Sequence, residues 1–457
     1  MKYLSTRNDK LKESFLSILF QGLSKDGGLF LPIEWPYISV SELKAKTYQE
    51  IAYMVINPYL EDEISGDQLN YIIDKTYKNF NHNSIAPLVR IEKNKYILEL
   101  FYGPTFAFKD YALQFLGNLF SHVLKNHKKK ITVLGATSGD TGSAAINAFK
   151  GKEDIEVFIL HPYKKISEVQ RRQMTTVAEN NIHNIAINGT FDDCQKIVKE
   201  LFVDNELQSE TSLTAVNSIN WVRLVVQTVY YFWAYAQLNL NHEKINFIVP
   251  SGNFGNVFSA RIAQYMGLPI DQLHIVTNAN DILHRTINEG IMQINKVKQT
   301  YSPSMDIQVS SNFERQLFES ADRNSVLVQQ IMQAFIQTGK QKLKENILSN
   351  LRSTYKTHSV SNLDTLETIK LFKNKFNYLA DPHTATGLNI INKIHNENPT
   401  ISLACAHPAK FGDAIKNAIG TYPILPEELE NIFDKQEKLT ILDNNIKDIK
   451  NHILKNL

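Results

Sequence analysis

From Pro87 onward, short apolar runs alternate with amphipathic stretches of helical period, the pattern of parallel strands joined by crossover helices. Ile131-Thr-Val-Leu134 reads as a buried strand, residues 142–150 as its helix, and Val157-Phe-Ile-Leu160 as the next strand. Asn184-Ile-Ala-Ile-Asn188 adds a strand and residues 191–200 a helix. A second series starts at Ile245-Asn-Phe-Ile-Val249, with a helix over 256–266 and the strand His274-Ile-Val-Thr277. A last unit runs helix 383–394, strand Ile401-Ser-Leu-Ala404, helix 409–419.

Outside these series the pattern changes. Residues 1–82 read as a mainly helical accessory domain, with a short extended entry at Leu29-Phe-Leu-Pro32 after the Asp26-Gly-Gly28 turn. Ser41 is placed to cap one helix, and Ile64-Ser-Gly-Asp67 opens another that ends near Phe80. Residues 281–365 are polar and helical, interrupted by the loop Thr300-Tyr-Ser-Pro-Ser-Met-Asp306. The catalytic region is expected over 83–430 and a tail over 431–457, where the Lys- and Asn-rich end reads as a solvated surface helix.

Composition narrows the function classes. A chain of 457 residues predicts two or three domains, and 43% hydrophobic with 21% charged residues describes a soluble globular protein. Forty-nine basic against 47 acidic residues leave +2, so no global charge points to nucleic acid, and Lys128-Lys-Lys130 reads as a solvated loop. The two cysteines, Cys194 and Cys405, argue against a disulfide framework and for a reducing cytoplasm. No uncharged apolar run approaches the roughly 18 residues that cross a bilayer, and charges interrupt the first ten residues before a signal core develops. The histidines make no metal-ligand spacing, so no metal is expected.

Candidate chemistry centres on Lys109, in Glu99-Leu-Phe-Tyr-Gly-Pro-Thr-Phe-Ala-Phe-Lys-Asp110. An amine among aromatic and small residues is poorly solvated, which suits attack on a carbonyl or removal of a proton. Two glycine-rich strand-to-helix turns follow it: Gly135-Ala-Thr-Ser-Gly-Asp-Thr-Gly142 and Ser251-Gly-Asn-Phe-Gly-Asn256. Backbone N–H groups at such helix starts favour anions. Neither a Walker A ending nor G-x-G-x-x-G can be laid on the first turn, and read alone it is equally a tight turn that needs glycine for packing. Ser138, Asp140 and Thr141 offer more side-chain hydrogen bonding than a turn requires, and Gly252, Asn253, Gly255 and Asn256 make a nest for a phosphate. A secluded amine with two anion-binding turns suggests a carbonyl cofactor that carries phosphate.

These stretches resemble the threonine synthase family, pyridoxal-phosphate enzymes of the tryptophan-synthase-β-like fold. The resemblance extends to Gln21-Gly-Leu-Ser-Lys-Asp-Gly-Gly-Leu-Phe30, Gly189-Thr-Phe-Asp-Asp-Cys194, Asn217-Ser-Ile-Asn220 and Ala406-His-Pro-Ala-Lys-Phe411, and so covers nearly the whole chain. It implies an α/β fold with two parallel-sheet lobes enclosing pyridoxal 5'-phosphate behind an N-terminal mainly helical domain. It also implies conversion of O-phospho-L-homoserine and water to L-threonine and phosphate, by a cytoplasmic monomer or homodimer without nucleic-acid or membrane partners.

By the same resemblance Lys109 would carry the cofactor as a Schiff base, and Ser251, Gly252, Asn253, Phe254, Gly255 and Asn256 would bind its phosphate. Ser138, Gly139, Asp140 and Thr141 would border the substrate carboxylate and the pyridine O3′, although a carboxylate at 140 is a poor partner for an anion. Asn217, Ser218 and Arg223 would grip the substrate phosphate, with Lys410 adding charge; the competing reading is a capped helix with Arg223 paired to an acidic neighbour. Cys405 stands where related chains place a hydroxyl against the pyridine nitrogen, and a small buried core residue is the alternative. Two other readings stay open: a phospho-lyase or dehydratase of the same fold, and a catalytically silent sensor of amino-acid phosphates.

Overall fold

The structure, a computed structural model, describes every residue except 61, 62, 241 and 396. Among the described residues no helix is long and apolar enough to cross a membrane.

Two sheets carry the architecture. In the smaller, Thr440–Asp443, Ile182–Asn188, Ile155–Pro162, Ile131–Ala136 and Leu213–Thr214 lie side by side in that order, all parallel. The central strands are apolar on both faces, with Val133, Leu134, Val157, Phe158, Ile185 and Ile187 buried, as a sheet covered by helices on both sides requires. The larger sheet runs Tyr355–Ser359, Ile270–Thr277, Ile245–Pro250, Thr400–Ala404, Lys95–Glu99 and Leu88–Glu92; only the last strand is antiparallel to its neighbour.

Both glycine turns sit where a parallel α/β fold places ligands, beyond the carboxyl ends of strands. Ile131–Ala136 leads into the helix Asp140–Phe149, and Ile245–Pro250 into the helix Gly255–Tyr265. Cys405 immediately follows the strand Thr400–Ala404. Packed against the helices Tyr48–Leu60, Lys109–His127 and Gly255–Tyr265 is Trp221–Leu238, a helix apolar around almost its whole circumference and therefore buried.

The structure corrects or extends four sequence expectations. The N-terminal region, mainly helical as expected, also carries an antiparallel sheet of Tyr3–Ser5, Asn8–Glu13 and Phe30–Pro32, with the helix Phe15–Gln21 between the last two in sequence. Its side chains Tyr3, Ile18 and Ile51 belong to the same continuous core as Val133, Trp221 and Val249. Ser41 caps nothing: it lies inside the 3-10 turn Val40–Leu43, and the following helix is Tyr48–Leu60. The polar stretch 281–365 contains three strands among its helices, Ile291–Gln293, Lys340–Lys342 and Tyr355–Ser359. Finally, the tail is more than the solvated surface helix expected of it. Thr440–Asp443 extends the smaller sheet, and Ile446–Lys455 buries Ile449 and Ile453 against that lobe.

Candidate active site

Lys109 is the first residue of the helix Lys109–His127, and its neighbour fixes that start. The buried Asp110 carboxylate accepts hydrogen bonds from the Thr105 N–H (2.8 Å) and hydroxyl (2.7 Å), which folds the preceding loop back on the helix. Burial pushes the Asp110 carboxyl up to about 6. The Lys109 ammonium lies 4.8 Å from the Phe108 ring centroid and 3.1 Å from Asp140 Oδ2. The amine is thus secluded, as the sequence suggests, but it faces a carboxylate and not only aromatic carbon.

Asp140 sits between cations. Its Oδ1 is 3.1 Å from Lys410 Nζ and accepts from Gln170 Nε2 at 2.8 Å. Burial would raise this carboxyl, but Lys109 and Lys410 outweigh it and hold the group well below the usual carboxylate range. Asp140 is therefore an anion that orders two ammonium groups, which answers the question its presence in an anion-binding turn posed. In the same turn the Thr137 hydroxyl accepts from the N–H groups of Gly139 (2.9 Å) and Gly142 (2.8 Å). Gly139 has φ +132, and a Cβ there would lie 2.5 Å from the Gln170 amide carbon; only glycine fits.

Lys109, Asp140, Ser138, Thr141 and Cys405 line a cavity of about 280 Å³, whose other wall carries Ser251, Gly252, Asn253, Gly255 and Asn256 with Asn217, Ser218 and Arg223. Three expected site residues lie off that wall. Gly139 supports the turn from behind, and the Phe254 ring is buried against Phe313 and Tyr355 while its backbone adopts φ 63. Lys410 is fully buried beneath Asp140 and donates to the Thr105 carbonyl at 2.6 Å. Its ammonium is committed there, so it adds no charge at the Arg223 end of the cavity.

The glycine turn Gly252–Asn256 and the 217–223 segment adjoin. A Cβ on Gly255 would approach Ser218 Cβ to 3.3 Å, and Asn312 Nδ2 bridges the Ser218 hydroxyl (3.0 Å) and the Asn253 carbonyl (3.1 Å). Tyr231 donates to Asn256 Oδ1 at 2.8 Å and Tyr230 donates to the same oxygen, leaving the buried Asn256 Nδ2 without a partner. The Trp221–Leu238 helix is capped by Asn220, and Arg223, one turn in, donates from Nη1 to the Val216 carbonyl at 2.8 Å. Among the described residues no carboxylate pairs with this guanidinium, and its Nε is buried without a partner. Burial draws it down to about 10. A cation buried without a counter-ion is costly in an empty protein and is what a bound anion would satisfy.

Cys405 is buried at the cavity floor, and burial with the nearby Asp381 keeps its thiol well above the ordinary value, hence neutral. The sequence patterns above single out neither His383 nor its partner. His383 Nδ1 lies 2.9 Å from Asp381 Oδ1, and its Nε2 accepts from the Ser304 N–H at 3.2 Å, which puts the ring proton on Nδ1. The place of His383 in the first turn of a helix opened by Asp381 and Pro382 is the one signal the sequence offers; the Ser304 contact has none.

Comparison with known proteins agrees with this geometry. Residues 2–77 match the family model "Threonine synthase N terminus", 81–337 match "Pyridoxal-phosphate dependent enzyme", and 384–453 match "Threonine synthase, C-terminal". The chain is 42% identical to threonine synthase of Pseudomonas aeruginosa over 98% of its own length and 96% of that protein, and 40% identical to that of Saccharomyces cerevisiae, covering 96% and 95%. It superposes on the pyridoxal-phosphate-bound threonine synthase of Brucella melitensis with a TM-score of 0.96 at 43% identity, covering 100% and 99% of the two chains. With its secluded lysine, its paired anion-binding segments and these end-to-end likenesses, the chain belongs to the threonine synthase family of pyridoxal-phosphate enzymes.

Proposed function

We propose that this chain converts O-phospho-L-homoserine and water to L-threonine and inorganic phosphate. The observation that carries the reading is one amine, Lys109, in a cavity with Arg223, a buried guanidinium that has no carboxylate partner. Such a wall awaits phosphorylated ligands.

The residues present fit pyridoxal phosphate. Lys109 would hold its carbonyl, the Ser251–Asn256 turn its phosphate, and the neutral Cys405 thiol would meet the ring nitrogen without protonating it. The unpartnered Asn256 Nδ2 beside that turn supports this assignment. When bound, the cofactor supplies an electron sink for the charge left by a departing proton.

The rest of the work belongs to side chains of this protein. Lys109 Nζ takes the proton from the carbon bearing the substrate amino group and returns it later; Asp140, at 3.1 Å, stabilises the ammonium form. Ser138, Thr141 and the N–H groups that open the Asp140–Phe149 helix hold the substrate carboxylate. A second proton leaves the middle carbon as the phosphate departs from the next one, which is later protonated to a methyl group; Arg223, Asn217 and Ser218 hold the phosphate and stabilise charge on the oxygen as it leaves. Lys410 acts through Asp140, as a positioning residue. The two lobes keep bulk water from the cavity, so that water adds at the intended carbon.

The test is product identity. Purified protein given O-phospho-L-homoserine is expected to release phosphate and threonine in equal amounts. Release of 2-oxobutyrate in place of threonine would move the reading to a phospho-lyase, and no turnover at all would move it to a sensor. The same reading takes the chain as a cytoplasmic monomer or homodimer, which light scattering on the purified protein distinguishes.

A further inference from the structure

With Lys410 withdrawn beneath Asp140, the cations on the cavity wall are Lys109, Arg223 and Lys199. The first is held by Asp140, the wall's carboxylate. The reading above brings in three anionic groups: a phosphate on the cofactor, a phosphate and a carboxylate on the substrate. Arg223 can neutralise one of them. The remaining mobile cation is Lys199.

Its placement follows from its helix. Phe191–Phe202 is capped by Thr190 and buries Cys194, Ile197 and Leu201 in the smaller lobe. Phe191, Gln195 and Lys199, spaced by four, therefore share the opposite face, turned to the gap between lobes. A second cavity of about 340 Å³ lies over the first, and both are lined by Phe191, Gln195, Lys199, Asn253, Ile307 and Val309. These six residues form the throat between an outer vestibule and the chamber that holds Lys109. Asn253 faces the throat from the glycine turn of the larger lobe, Lys199 from the helix of the smaller. Lys196, next to it on the helix, pairs with Glu200 at 3.9 Å, whereas Lys199 has no carboxylate partner among the described residues.

We propose that Lys199, with Gln195 one turn before it, is a substrate-phosphate ligand carried by the smaller lobe, facing Asn253 and the Arg223 wall across the throat. The inference rests on the proposed phosphorylated substrate and adds a specificity residue to that site. A flexible, strongly hydrated ammonium at the mouth can meet the phosphate on entry and follow it inward. A substrate lacking phosphate would leave that ammonium without its partner in a narrowing throat, so Lys199 selects for the phosphorylated amino acid.

The test compares Lys199→Ala, Lys199→Arg and Lys196→Ala as holoenzymes. Lys199→Ala is expected to raise KM for O-phospho-L-homoserine about tenfold or more, with kcat changed less, and to weaken binding of inorganic phosphate by a similar factor. Lys199→Arg should restore most of both, Lys196→Ala should alter neither, and cofactor absorbance should match the unmodified protein throughout. Unchanged KM and phosphate binding in a folded, cofactor-loaded Lys199→Ala would overturn the proposal. So would equal losses in Lys196→Ala, which would indicate a diffuse field and no specific ligand. Phosphate titration by calorimetry separates the two readings: a protein that makes no threonine yet loses phosphate binding with Lys199→Ala fails the proposed reaction and keeps Lys199.

Discussion

Asp140 and Lys410 form a buried ion pair, 3.1 Å from Oδ1 to Nζ, on the side of the carboxylate away from Lys109. One anion thus holds two ammonium groups, one at the cavity and one with no route to water. Removing it strands both. Asp140→Asn is expected to cost about 3–5 kcal/mol in denaturant unfolding, the scale for breaking a buried pair on one side. Lys410→Met should cost less, because Asp140 keeps Lys109. The carboxyl is depressed on folding, so its stabilisation is complete above the unfolded carboxyl value of about 3.9 and fades only as pH falls below it. Between about pH 5 and 8 this pair should therefore contribute no slope to stability.

Arg223 offers a second test, independent of turnover. Its guanidinium is buried without a carboxylate, so Arg223→Met should lose little stability in phosphate-free buffer. Inorganic phosphate at 100 times its dissociation constant should stabilise the unmodified holoenzyme by about 2.7 kcal/mol. The Arg223→Met protein should gain far less in the same thermal scan. An equal gain in both would place the anion elsewhere.

Much of this site was legible because parallel strands buried on both faces read as plain apolar runs. Ile131–Ala136, Ile245–Pro250 and Thr400–Ala404 fall close to where the pattern put them, and each ends in a functional turn or residue. Asn8–Glu13 was illegible for the opposite reason: its sequence is almost wholly polar, and pairing with Tyr3–Ser5 holds it extended. Thr440–Asp443 was hidden by its Lys- and Asn-rich flanks. Side-chain destinations were harder still. Lys410 follows a histidine and a proline in a turn that resembles site residues, yet its ammonium points into the protein. Lys199 looks like any solvated helix lysine until Asn253 and Val309, more than fifty residues away, are brought opposite it.

Cys405 titrates the character of the cavity floor. Burial raises its thiol, so the neutral form persists in the folded protein while the unfolded chain ionises near pH 8.5. Stability linked to this group is accordingly intact below about pH 8.5 and declines as pH rises past it. Alkylation by iodoacetamide should be slow from about pH 7 to about pH 9 in the native protein and fast in denaturant. Cys405→Ser, a neutral partner of similar size, should leave cofactor affinity within a few fold. Cys405→Asp should shift the absorbance of the bound cofactor, since a carboxylate would draw a proton onto the ring nitrogen.

The C-terminal helix connects stability to the substrate throat. Ile449 and Ile453 are fully buried against the smaller lobe, where Cys194, Ile197 and Leu201 anchor the helix that carries Lys199. Ile449→Ala removes a buried branched side chain and should cost about 2–5 kcal/mol. The loss should be local, because Thr440–Asp443 is an edge strand that pairs with Ile182–Asn188 alone. Hydrogen exchange should therefore quicken first in 182–202, with the larger sheet unaffected. If Lys199 is held in place by that packing, KM for the phosphorylated substrate should rise in Ile449→Ala while cofactor absorbance, set by the Lys109 chamber, stays as it was. Equal loosening of both sheets would mean that the two lobes unfold as one unit and that the throat has no stability of its own.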